Sequence, residues 1–133
     1  MGQFLGSGLP LCREFPFLVA FSWPVTPGRP QDGTGDLVLA SRRGSFAVVE
    51  LKALPDIGDR HGRTRRNRRE KRRQRIKKCE IQAARYTAAW RRRWSRDTEI
   101  MGFAVLKWPD GRWTVRPVPS CDPELATLKA AVG

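Results

Sequence analysis

Residues 36–54 read DLVLASRRGSFAVVELKAL. Two apolar runs flank Ser41-Arg42-Arg43-Gly44, whose residue types suit a turn. The pattern predicts a hairpin: a buried strand over 36–40, a loop of about four residues, and a second strand over 45–54. Upstream, residues 15–23 (FPFLVAFSW) form a short apolar run ended by Pro24, also read as a strand. Residues 24–35 (PVTPGRPQDGTG) carry three prolines and three glycines and read as a loop. In residues 1–14, Gly6, Gly8 and Pro10 argue against a long helix. Downstream of the hairpin, residues 63–101 contain neither Gly nor Pro. Ile76, Cys79, Ala83, Tyr86, Trp90 and Trp94 recur at spacings of 3, 4, 3, 4 and 4, one face of a helix. Helical throughout 63–96, that element would extend about 50 Å. Residues 100–108 and 112–118 flank Pro109-Asp110-Gly111 as strand, turn and strand, and 123–131 read as a short closing helix. The order β–ββ–α–ββ predicts an α+β fold, a mixed sheet flanked by a long basic helix.

The chain has 133 residues, about one domain's worth, read as a single domain 1–133. Large multidomain enzymes are excluded. Lys+Arg number 26 against 13 Asp+Glu, a net charge of +13. The charge is concentrated: residues 60–96 hold 17 basic residues and two acids, Glu70 and Glu80, a local net of +15 against −2 for the rest. A near-neutral fold with one basic insertion points to a polyanionic partner. Three widely spaced cysteines (Cys12, Cys79, Cys121) without C-x-x-C support neither a disulfide framework nor a thiolate zinc site. The single histidine, His61, excludes a His-rich metal site and reads as a solvated loop residue. A reducing, intracellular compartment follows: the nucleus or another DNA-containing compartment in a eukaryote, the cytoplasm in a prokaryote. No apolar run approaches the ~20 residues of a membrane span. The start lacks a signal peptide's positive n-region, and Gly6 stands where myristoylation wants Ser or Thr.

Three charges do not belong in buried strands. Glu50 and Lys52 interrupt the second apolar run and, two residues apart, project from the same face. Asp36 opens the preceding strand, in reach of Glu50 across the hairpin. Two carboxylates sharing a site repel unless a cation sits between them, and Mg²⁺ takes one or two carboxylates and keeps several waters. Such an ion polarises a phosphoryl oxygen and lowers the pKa of bound water. Lys52, beside it, would orient the attacking water or neutralise developing charge. A site of this kind beside a strongly basic segment points to the phosphodiester backbone as substrate.

These residues resemble the PD-(D/E)XK nuclease superfamily, in which an Asp on one strand and a Glu-x-Lys on the next bind divalent metal and hydrolyse nucleic acid. Here they are Asp36, preceded by Gly35, and Glu50-Leu51-Lys52. Gln82-Ala83-Ala84-Arg85-Tyr86 is similar to the Gln-x-x-x-Tyr that RecB-like members carry on the following helix. The resemblance implies a restriction-endonuclease-like core, an Mg²⁺ or Mn²⁺ cofactor, and Asp36, Glu50, Lys52, Gln82 and Tyr86 as catalytic residues. It further implies the Leu51 carbonyl as a metal ligand. Glu14, ahead of Phe15-Pro16-Phe17, resembles an upstream acidic ligand and is the weakest match. The chain departs from the family in its short Gly-rich start and in the Arg-rich stretch between Lys52 and Gln82.

Blander readings stand beside these. Glu50 and Lys52 fit a half-exposed strand as a solvated pair, and Gln82 and Tyr86 fit a core stripe. Trp90 and Trp94 read as core or interface anchors before stacking platforms. The run RTRRNRREKRRQRIKK at 63–78 is a phosphate-binding arm, a localisation signal or a solvated stretch. As an arm its contacts are Arg63, Arg65, Arg66, Arg68, Arg69, Lys71, Arg72, Arg73, Arg75, Lys77 and Lys78, with Arg85 further along. The leading expectation is a metal-dependent nuclease acting on nucleic acid, DNA before RNA, as a homodimer or a module of a larger complex. The rivals are a non-catalytic nucleic-acid-binding protein on a degenerate nuclease-like fold and an assembly protein docking through Trp90 and Trp94.

Overall fold

A computed structural model describes residues 2–56 and 63–119. Along the chain run α1 (Gly2–Leu5), α2 (Pro10–Glu14), β1 (Phe17–Thr26), β2 (Arg29–Ala40), β3 (Phe46–Ala53), α3 (Arg63–Arg91), β4 (Ile100–Lys107) and β5 (Trp113–Val118). The strands form one sheet in the order β1-β2-β3-β4-β5. All neighbours are antiparallel except β3 and β4, which are parallel. A parallel pair needs a long crossover, and the 29-residue α3 supplies it. The class is α+β with a mixed sheet, as the sequence pattern indicates.

The central strands explain the apolar runs. Ala47, Val48 and Val49 on β3 and Ala104, Val105 and Leu106 on β4 are fully buried because both faces are covered. On one face, Leu37, Leu39, Ala47, Val49 and Val105 pack under Phe4, Leu11 and Phe15 from the short α1, α2 and the residue that follows. On the other, Val38, Phe46, Val48 and Ile100 meet Trp23, Ala89 and Trp90, and Ala104 and Leu106 meet Cys79 and Ala83. From Cys79 onward α3 therefore lies on the sheet, while in the basic half only Arg68, Arg72 and Ile76 of residues 66–78 are partly buried. No helix among the described residues is long and apolar enough to cross a membrane.

The region 24–35, expected as a loop, is strand. β1 runs on through Pro24, and Thr26 pairs with Arg29 across a tight Pro27-Gly28 turn. Gly28 has φ +76°, and Pro before Gly is the signature of a type II turn. Prolines are tolerated because β1 is an edge strand and this arm of β2 pairs only with β1, leaving main-chain donors unneeded on the open sides. A register shift between Leu18 and Ala20 bulges the edge, a device that discourages pairing with further strands. The helix stops at Arg91 rather than 96: the amides of Arg93 and Trp94 turn back to the carbonyls of Trp90 and Arg91. Trp94 thus leaves the buried stripe and lies 45% exposed against Phe46. The closing helix at 123–131, His61 and Cys121 lie outside the described residues.

Candidate functional site

The β2–β3 ladder runs from Ala40/Phe46 to Leu37/Val49 and stops there. In place of the next step stand two bonds made by side chains. The Asp36 N–H donates to Glu50 Oε1 at 2.8 Å, and the Leu51 N–H donates to Asp36 Oδ2 at 2.8 Å. Beyond this point β2 pairs only with β1, and β3 only with β4. The strands are splayed by the width of a carboxylate, and the two acids fill the gap.

Neighbouring residues hold the splay. Gly35 lies flat against Trp23, where a Cβ would fall 2.4 Å from the indole Nε1 and Cε2. Ser22, between the pairs Phe21/Leu37 and Trp23/Gly35, has φ +42°, a left-handed conformation rare for a residue with a side chain. Strain of this kind, of order 1–3 kcal/mol, persists only where packing enforces it. Ser22, Asp36, Leu37 and Leu51 line a cleft of about 300 Å³. From the α3 side, the Cys79 thiol donates to the Glu50 carbonyl at 3.7 Å.

Burial dominates the electrostatics. Glu50 is 5% exposed. Its carboxyl is pushed up to about 8, first by loss of water, with the Asp36 N–H opposing and the Asp36 charge and a carboxyl–carboxylate hydrogen bond adding to the rise. The Cys79 thiol is pushed up to about 12 by burial and then by the charges of Glu50 and Asp36, with Lys52 opposing. The Tyr86 phenol is raised by burial and then by the same two carboxylates, with Arg85 opposing. The acid pair therefore acts on α3 at two positions seven residues apart.

Several expected residues converge. Asp36 and Glu50 touch, and Tyr86 lies in their field, its hydroxyl 3.2 Å from where a Gly33 Cβ would stand and its ring edge-on to Trp23. Leu51 turns its N–H to Asp36, and a strand residue points its carbonyl to the same side as its N–H, so that carbonyl also faces the gap. Lys52 is exposed at the end of β3 and makes no hydrogen bond to either acid. Gln82 is half-buried one turn before Tyr86. Glu14 does not join the site. Phe15 is drawn into the core under α2 and Phe17 pairs with Ala40, four residues along β2 from Asp36 and about 13 Å away at strand rise. Glu14 lies exposed beyond that far end.

The basic segment divides by role. The Arg72 guanidinium donates to the Pro55 carbonyl and stacks 5.2 Å from the centroid of Trp108, and Arg68 donates to the Asp56 carbonyl. These two fasten the helix to the end of β3. Arg66, Arg69, Lys71, Arg73, Arg75, Lys77, Lys78 and Arg85 are exposed. The side chains of Arg63 and Arg65 lie outside the described residues.

Sequence reasoning missed Ser22, the Trp23–Gly35 contact and the Cys79 contact. Cys79 alone carried a signal, three residues before Gln82 on the apolar stripe. Among the described residues no third His, Cys, Asp or Glu completes a metal-ligating cluster. No family model matches the chain, and neither a curated protein nor a solved structure is significantly similar to it.

Proposed function

We propose that this protein is a metal-dependent nuclease with a restriction-endonuclease-like core, hydrolysing phosphodiester bonds of nucleic acid, DNA in preference to RNA. The observation that carries the reading is the direct contact of Asp36 and Glu50 in a gap between splayed strands, with Lys52 two residues from Glu50 and Tyr86 within the field of the two acids. The donor set fits Mg²⁺ or Mn²⁺. The two carboxyls stand close enough to bond through one proton, and a hard cation in that proton's place would meet oxygen donors from Asp36, Glu50 and the Leu51 carbonyl. When bound, the ion supplies Lewis-acid polarisation of the phosphoryl group and a more acidic water.

The remaining work falls to the chain's own residues. Lys52, exposed at the mouth, holds the attacking water or the phosphate oxygen beside the acids. The water oxygen bonds to phosphorus as the ester P–O bond breaks, the water giving up one proton and the departing oxygen taking one up. Tyr86 and Gln82, from α3, position the strand against the gap. The exposed cations of α3 hold the backbone by charge, so affinity falls steeply with salt.

The deciding experiment incubates labelled single-stranded, duplex and branched DNA, and RNA, with Mg²⁺, Mn²⁺ or EDTA, with Glu50→Ala and Lys52→Ala proteins alongside. Cleavage that needs metal and is lost in both variants, with DNA affinity kept, supports the reading. Cutting retained by both variants overturns it.

A second reading rests on the same two hydrogen bonds. They stand in for a ladder step, so Asp36 and Glu50 also fit a purely structural role in a non-catalytic nucleic-acid-binding protein. Under it, no metal yields cleavage and the acid variants bind DNA at least as well as wild type.

A further inference from the structure

On the face covered by α1, a cleft of about 220 Å³ is lined by Gln3, Leu51, Lys52, Ala53, Lys107 and Trp113. It shares Leu51 with the cleft at Asp36. The two concavities thus meet at the residue whose N–H binds Asp36. Sheet register brings the lining together: Ala53 pairs with Lys107 across the parallel β3–β4 ladder, and Lys107 with Trp113 across β4–β5.

The chemistry of this cleft is cationic and aromatic. The Lys107 ammonium stands 5.5 Å from the centroid of the Trp113 ring and donates to the Gln3 side-chain oxygen, an amide that leaves its charge uncompensated. Lys107 has no carboxylate in ion-pair reach among the described residues. Phe4 packs at a tilt against Trp113, 5.7 Å between centroids, which fixes the indole in place. An unneutralised ammonium group and a fixed aromatic ring suit a ligand with a phosphate and a flat base, while Lys52 lines the cleft from a strand position whose side chain projects to the opposite, α3 face. The volume suits one nucleotide unit rather than a duplex. Strands are spaced about 4.8 Å, so β4 lies one to two spacings from the acid pair, the reach of a neighbouring unit of the same chain.

We infer that this cleft is a nucleotide subsite beside the scissile phosphate, with Lys107 on the phosphate and Trp113 stacking an unpaired base. Its placement beside a scissile bond rests on the nuclease reading, but its ligand does not. A base can reach Trp113 only when out of a duplex, so the subsite assigns single-stranded or frayed ends as the substrate class.

The test measures binding of fluorescein-labelled tetrathymidylate in EDTA, where no hydrolysis can intervene, to wild type, Lys107→Met and Trp113→Phe. A 30-base-pair duplex serves as the comparison ligand. Each variant is expected to bind tetrathymidylate about tenfold more weakly, with duplex affinity, carried by α3, within twofold of wild type. Lys107→Met keeps the aliphatic stem and leaves the Phe4 contact intact, so it decides the matter should Trp113→Phe loosen the fold. Unchanged tetrathymidylate affinity in Lys107→Met, or no binding by wild type, overturns the subsite. A protein that cuts nothing with any metal yet shows the Lys107-dependent affinity sinks the nuclease reading and keeps the subsite.

Discussion

Asp36 gives its amide hydrogen to Glu50 Oε1 at 2.8 Å, while its own carboxylate takes the amide hydrogen of Leu51, the next residue after Glu50. The two acids are therefore interlocked through the main chain as well as set against each other by charge. Each bond favours an ionised acceptor; mutual repulsion and burial favour a proton. Removing either carboxylate relieves repulsion and orphans an amide at once, so effects at the two positions should not add.

The first expectation concerns pH in metal-free buffer. Glu50 is raised from 4.5 to about 8, so the folded protein holds a proton that the unfolded chain has released. A raised carboxyl contributes stability that is full below pH 4.5 and lost as pH rises through about 8. In EDTA, the Tm of wild type should fall relative to Glu50→Gln, which cannot ionise, across that window. Differential scanning calorimetry at several pH values reads this directly. Parallel curves would mean that Glu50 is ionised throughout. Added Mg²⁺ should raise the wild-type Tm more at pH 8 than at pH 5.5 and leave Glu50→Gln unmoved.

The second concerns the splay. A methyl on Gly35 would stand 2.4 Å from the Trp23 indole, which is only 3% exposed and cannot swing away. Gly35→Ala should cost about 1–3 kcal/mol or more by overpacking, read by urea denaturation. Trp23→Leu removes the indole, whose Nε1, Cε2 and Cζ2 the methyl strikes. The double variant should therefore lose well less than the sum of the two single losses. Simple additivity would show that the contact does not set the position of β2.

Much of this site was legible in the chain. Continuous apolar runs on either side of Ser41–Gly44 gave the hairpin, and the hairpin alone brings Asp36 opposite Glu50. The β1–β2 arm was not legible, because Pro24, Pro27 and Pro30 signal a loop by composition and only the sheet order reveals that they sit where donors are not needed. Ser22 and Gly35 act through a backbone dihedral and a ring contact, neither of which leaves a spacing in the sequence, whereas the spacing of Cys79 marked its helix face but not its contact with the Glu50 carbonyl. Glu14 was assigned by motif, yet burial of Phe15 anchors it at the wrong end of β2.

The third expectation separates binding from fastening within α3. Arg69, Lys71 and Arg73 are exposed. Replacing them together with Ala should lower the slope of log affinity against log salt by up to about 0.9 per lost phosphate contact, with Tm unchanged. Arg72→Ala should do the reverse. It removes the bond to the Pro55 carbonyl and the cover over Trp108, so Tm should drop while the salt slope stays within error. Fluorescence anisotropy across a salt series, with thermal melts of the same samples, measures both. A slope unmoved by the triple variant would remove the segment from the binding surface.

The last concerns Tyr86. Its ring packs edge-on to Trp23, 6.2 Å between centroids, so Tyr86→Phe should keep the fold and its Tm. The phenol lies in the field of Glu50 and Asp36 and against Gly33, at the inner wall of the gap. If it positions the scissile strand through one hydrogen bond, its loss should lower kcat/KM about tenfold, near 1.4 kcal/mol, without weakening DNA binding in EDTA. Gly33→Ala would press the hydroxyl with its methyl at 3.2 Å, and because φ +113° also strains the backbone there, its activity is compared at matched Tm. A matching loss in both variants, with binding preserved, makes the position of that oxygen the relevant variable. Full activity in Tyr86→Phe would return the residue to the core stripe that its spacing first suggested.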